Sequence, residues 1–81
     1  MVNSQPRSLG RIALEIYKDW GDKVNFAAKP YLRDMLHLHS VDDEWYAETG
    51  RHIVIYFLSN AGSWRGEKAK AIKAELKEML K

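Results

Sequence analysis

His52-Ile53-Val54-Ile55-Tyr56-Phe57-Leu58 is the stretch on which the fold turns. A run of β-branched, aromatic and aliphatic residues suits a buried strand as well as a buried helix segment. Two arguments favour the helix. Gly50, Ile53, Val54, Phe57, Leu58 and Ala61 recur at helical spacing, with Ile55 and Tyr56 widening the stripe. A strand also needs a partner for its backbone groups, and no other segment reads as one; Val24 to Phe26 is too short. The run is therefore read as the central, most buried helix, spanning about 48–60.

Reading toward the C-terminus, Asn60-Ala61-Gly62 breaks the helix and Ser63 is placed to cap a last one over 63–81. Ala69, Ile72, Leu76, Met79 and Leu80 give that helix its apolar side, with the Arg65 stem laid along it. Gly66 in its first turn suggests close approach of another backbone or of a ring such as Trp64 or Trp20. Toward the N-terminus, Ser40-Val41-Asp42-Asp43 has the form of a capping box and predicts a capped turn near 40–46. Before it, Pro30 belongs in the first turn of a helix over 27–39, whose apolar face holds Tyr31, Leu32, Met35 and Leu38. Leu9, Ile12, Ala13, Ile16, Tyr17 and Trp20 make the stripe of a first helix over 8–20, capped by Ser8 and ended by Gly21. The expected fold is thus all-α, a compact four-helix bundle forming a single domain over 8–81. Residues 1–7 are expected to be a flexible N-terminal tail.

Composition narrows the chemistry. In 81 residues there is no cysteine, which excludes disulfides, thiolate metal sites and a cysteine nucleophile. The longest apolar run, Ile53 to Leu58, is far shorter than the roughly twenty residues of a membrane helix. The polar start Met1-Val2-Asn3-Ser4-Gln5-Pro6 does not resemble a secretory signal, so a cytoplasmic location and no membrane partner are expected. No nucleophile elbow, metalloprotease motif or phosphate-binding glycine loop occurs, and no catalytic residue or cofactor is assigned. His37 and His39 would point about 200° apart on a helix, so no metal site is assigned either.

Charge is uneven. Residues 1–33 carry a net +3, residues 34–50 a net −5 with no lysine or arginine, and residues 51–81 a net +4. The acidic middle makes Asp42, Asp43, Glu44, Trp45 and Glu48 the candidate protein-interaction residues. Lys70, Lys73, Lys77 and Lys81 follow at three- and four-residue steps and form a one-sign ridge, the candidate phosphate-contacting edge of a weak nucleic-acid binder. No arginine pair suits guanine edges, and Leu58 and Lys68 stand where a helix-turn-helix around Gly62 wants a small and an apolar residue.

The strings DWGDKVNFAAKPYL (19–32), YFLSNAGSWRG (56–66) and EKAKAIKAEL (67–76) resemble short hypothetical proteins of bacteriophages, prophages and mobile elements. The resemblance implies an intracellular accessory protein and assigns no functional residue. Sequence thus favours a non-enzymatic module that engages a protein partner or its own copy; nucleic-acid binding through the lysine ridge is the alternative.

Overall fold

A computed structural model describes residues 7–81; the tail expected at 1–7 lies outside the described residues except for Arg7. The described chain is mostly helical, with one small sheet. In order come α1 (Leu9–Trp20), a 3₁₀ turn (Gly21–Lys23), α2 (Lys29–Met35), β1 (Glu44–Trp45), β2 (Glu48–Thr49), α3 (Gly50–Ser59) and α4 (Glu67–Met79).

α1 forms as its periodicity dictates. Leu9, Ile12, Ala13, Ile16 and Trp20 are buried, and Ser8 Oγ accepts the Arg11 amide at 3.1 Å. The next donors at that helix start are met from afar: the Leu9 and Gly10 amides donate to the His39 and Leu38 carbonyls at 3.0 and 2.9 Å. α3 is helical as expected, and Ile53, Val54 and Phe57 enter the core. Its hexad is not wholly buried, because Ile55 and Tyr56 are 40% and 41% exposed. The core joins α1 to α2, α3 and α4 through Leu32, Met35, Phe57, Ile72 and Leu76.

Arg7 is anchored. Its guanidinium donates to both Glu75 oxygens, at 3.0 and 2.6 Å, and to Glu15, clamping α4 to α1. The Glu75 bond, assisted by Glu15, holds the Arg7 pKa above its ordinary value.

Several expectations are corrected. α2 stops at Met35 rather than 39. The amides of Leu36, His37 and Leu38 reach back only three residues, to Arg33, Asp34 and Met35, and the tightened chain carries Leu38 into the core with its carbonyl toward α1.

The acidic segment is not only a capped turn. Residues 44–49 form an antiparallel hairpin, with Glu44 opposite Thr49 and Trp45 opposite Glu48. The expected all-α fold is thereby amended by one small sheet, and α3 starts at Gly50 rather than 48. Thr49, not an upstream residue, caps it, its Oγ1 accepting the His52 amide at 3.3 Å.

α4 starts at Glu67 rather than 63, because Gly66 has φ +113°, outside helical space and rarely adopted by L-residues. That conformation, not a neighbouring ring, explains the glycine, since a Cβ there would meet open space. Arg65 consequently lies outside α4 and is exposed. Seven residues, 60–66, separate α3 from α4, more than a helix-turn-helix allows.

The loop brings Trp64 into the core, parallel to Trp20 at 5.6 Å and edge-on to Phe57 at 6.4 Å. Trp64 Nε1 reaches out to donate to Asp19 at 2.8 Å. Among the described residues no helix is long and apolar enough to cross a membrane.

Candidate functional site

The hairpin is held from below. The Gly50 amide donates to the Asp43 carbonyl at 2.7 Å and the Arg51 amide to the Val41 carbonyl at 2.8 Å. Those bonds press residues 40–41 onto Gly50, where a Cβ would lie 2.5 Å from the Ser40 carbonyl oxygen, so only glycine fits. Asp43 completes the turn by accepting from the His39 amide at 2.8 Å and, at 3.4 Å each, from the Ser40 amide and hydroxyl. The His39 amide is the main cause of an Asp43 pKa below the ordinary carboxylate value.

Mounted on this base, the two-residue loop Tyr46-Ala47 exposes an aromatic side chain. Tyr46 has φ +60° and is 89% exposed. Glycine, asparagine or aspartate ordinarily takes such a position in a tight hairpin, and a bulky L-residue there costs about 1–2 kcal/mol. Tyr46 packs edge-on to Trp45 at 4.9 Å, and Trp45 lies flat on His37 at 4.2 Å with the rings 1° from parallel.

The surface continues onto α3. Trp45 and Glu48 are directly opposite in the ladder, so their side chains leave the same face. Glu48 Oε1 lies 3.4 Å from His52 Nδ1. One turn on, the His52 ring meets Tyr56 at 6.1 Å, and Tyr56 meets Tyr31 of α2 at 5.4 Å. Tyr46, Trp45, Glu48, His52, Tyr56 and Tyr31 thus stand in single file, with Ile55 exposed beside Tyr56.

The five candidate interaction residues divide. Trp45 and Glu48 belong to this strip, Glu44 is exposed on the opposite face of the ribbon, and Asp43 is consumed in the turn. Asp42 lies 3.7 Å from Arg51. Sequence reading missed Tyr46, His37, His52, Tyr56 and Tyr31. The signal that could have found the first was the aromatic pair Trp45-Tyr46 set between acids in a turn.

The lysine ridge is only partly available. Lys73 Nζ donates to the Trp64 carbonyl at 2.7 Å and lies 5.8 Å from the Trp64 ring centroid. Burial chiefly, then repulsion from Lys77 and Arg65, lowers its pKa. Lys81 lies 3.5 Å from Glu78. Lys70 and Lys77 are exposed, and neither is ion-paired among the described residues. His37 and His39 both lie beyond the end of α2, and no three potential metal ligands gather among the described residues. The chain matches no family model, no curated protein and no solved structure.

Proposed function

We propose that the protein is a non-enzymatic docking module that binds a protein partner along the aromatic strip, as an accessory factor of the phage or mobile-element kind. The observation that carries the reading is Tyr46: a large ring displayed almost fully to solvent on a backbone conformation that disfavours it. Local backbone cost borne by an exposed aromatic suits recognition better than stability, and tyrosine and tryptophan are the residues on which binding energy concentrates.

A photo-crosslinking side chain introduced at position 46 or 55 tests this in cells of the native host. A discrete protein adduct is expected from both positions and none from position 14, on α1. Absence of adducts at 46 and 55 would sink the reading.

The second reading, nucleic-acid binding, draws support from Lys77 and Arg65, each of which repels the Lys73 ammonium. Under it, labelled DNA or RNA binds at low salt, and Lys70→Glu with Lys77→Glu removes the binding. Lys73 is left intact in that test because it is bonded to the Trp64 carbonyl.

A further inference from the structure

We infer that the partner segment received by the aromatic strip is extended and arginine-bearing. The inference rests on the docking reading above and adds the chemistry of what docks.

Charge complementarity is its first ground. The hairpin and its approach, residues 34–50, hold five carboxylates and no lysine or arginine, although the chain as a whole is net positive. Asp43 is engaged in its own turn. Asp42 lies 3.7 Å from Arg51, and Glu48 lies 3.4 Å from the His52 ring nitrogen. Glu44, next to Trp45 on β1, leaves the opposite face of the ribbon. The segment has no lysine or arginine of its own to set against the Glu48 carboxylate beside Trp45, and a cationic partner complements it.

The second ground is the aromatic file itself. A guanidinium is planar, stacks on indole and phenol faces, and offers a fork of N–H donors to a carboxylate; a lysine ammonium does neither in the same geometry. Trp45 opposite Glu48, with Tyr46 at its edge, puts ring and carboxylate side by side. Polar groups interrupt the rings (Glu48, then His52), so the strip is not the continuous apolar groove that an amphipathic helix requires. Its single-file order suits an extended chain, whose alternate side chains fall on one side. Nucleic acid fits poorly, because its phosphates would meet the carboxylates.

The test uses the full chain and a fluorescein-labelled twelve-residue peptide of alternating arginine and proline, the proline holding it extended. Matched peptides carry lysine or glutamine in place of arginine. Anisotropy is expected to give saturable binding of the arginine peptide, at least fivefold tighter than the lysine one, with none for glutamine. Amide and indole N–H shifts should localise to Trp45, Tyr46 and α3. Tyr46→Gly, and separately Glu48→Gln, should each weaken binding at least fivefold; Lys70→Gln with Lys77→Gln should leave it unchanged.

Equal binding of the glutamine and arginine peptides would overturn the arginine assignment and leave an apolar docking segment. Equal lysine and arginine affinities, with shifts scattered away from Trp45, would overturn it as nonspecific attraction. No saturable binding of the arginine peptide while the position-46 crosslink persists would overturn the chemistry alone; loss of both would end the docking reading too. A dimer by light scattering that excludes the peptide and dissociates on Glu48→Gln would assign the face to a second copy.

Discussion

Replacing Tyr46 by alanine and, separately, by glycine isolates the backbone cost of the hairpin turn. Both substitutions remove the ring and its edge contact with Trp45, so that loss cancels between them. Alanine keeps a Cβ at φ +60° and retains the left-handed penalty of about 1–2 kcal/mol; glycine is free of it. Against this, glycine ordinarily costs about 0.5–1 kcal/mol more than alanine in chain entropy. Taking the middle of each range, the difference leaves the glycine variant the more stable by about 0.75 kcal/mol. For a domain of this size that is roughly 3–6 °C in melting temperature. Differential scanning calorimetry, with urea melts giving the same order, measures it. Ala71→Gly on the exposed side of α4 is the internal control, where glycine should be the worse residue by about 0.5–1 kcal/mol. If Tyr46→Ala melts at or above Tyr46→Gly, the turn is not strained and the argument from Tyr46 to recognition loses its basis.

Further outcomes are expected elsewhere. Gly50→Ala should destabilise by about 1–3 kcal/mol in urea unfolding despite alanine's better helix propensity, because its Cβ would overlap the Ser40 carbonyl and Val41 backbone. Trp64→Phe should cost about 1–3 kcal/mol, combining loss of the Asp19 hydrogen bond with a smaller ring against Trp20. The Asp43 and Glu15 carboxyls have folded pKa values below their ordinary ones, Asp43 chiefly from the His39 amide and Glu15 chiefly from Arg7. Their stabilisation is therefore present above the unfolded carboxylate pKa, about 4, and is lost as pH falls through the depressed values. Melting temperatures followed from pH 6 to 2 should show the gap between the native chain and Asp43→Asn closing as pH falls; a pH-independent gap would contradict the linkage.

Much of the helical framework was legible because its signals are local. The α1 stripe from Leu9 to Trp20, its Ser8 cap and Gly21 after it can be read from adjacent residues. In α3, the burial of Ile53, Val54 and Phe57 follows the helical period. Pro30 likewise stands in the first turn of α2. The termini failed where a distant partner decides them. Sequence carried α2 to 39, but the chain leaves the helix at Met35 so that the Leu38 and His39 carbonyls meet the start of α1. Ser63 has the form of a cap; the positive φ of Gly66 and the packing of Trp64 against both Trp20 and Phe57 push the start of α4 to Glu67.

The hairpin was invisible for the same reason. Its strands are two residues each, its Tyr46-Ala47 turn lacks glycine, asparagine or aspartate, and its register is fixed from outside by the seat of residues 40–41 on Gly50. Which helix faces are buried and where the acidic residues fall can be read along the chain, because periodicity and charge need no partner. The joining of Trp45 and Tyr46 to Tyr56 and Tyr31 in one strip cannot, since rings on the hairpin, α2 and α3 become neighbours only once the core has set how those elements lie against one another.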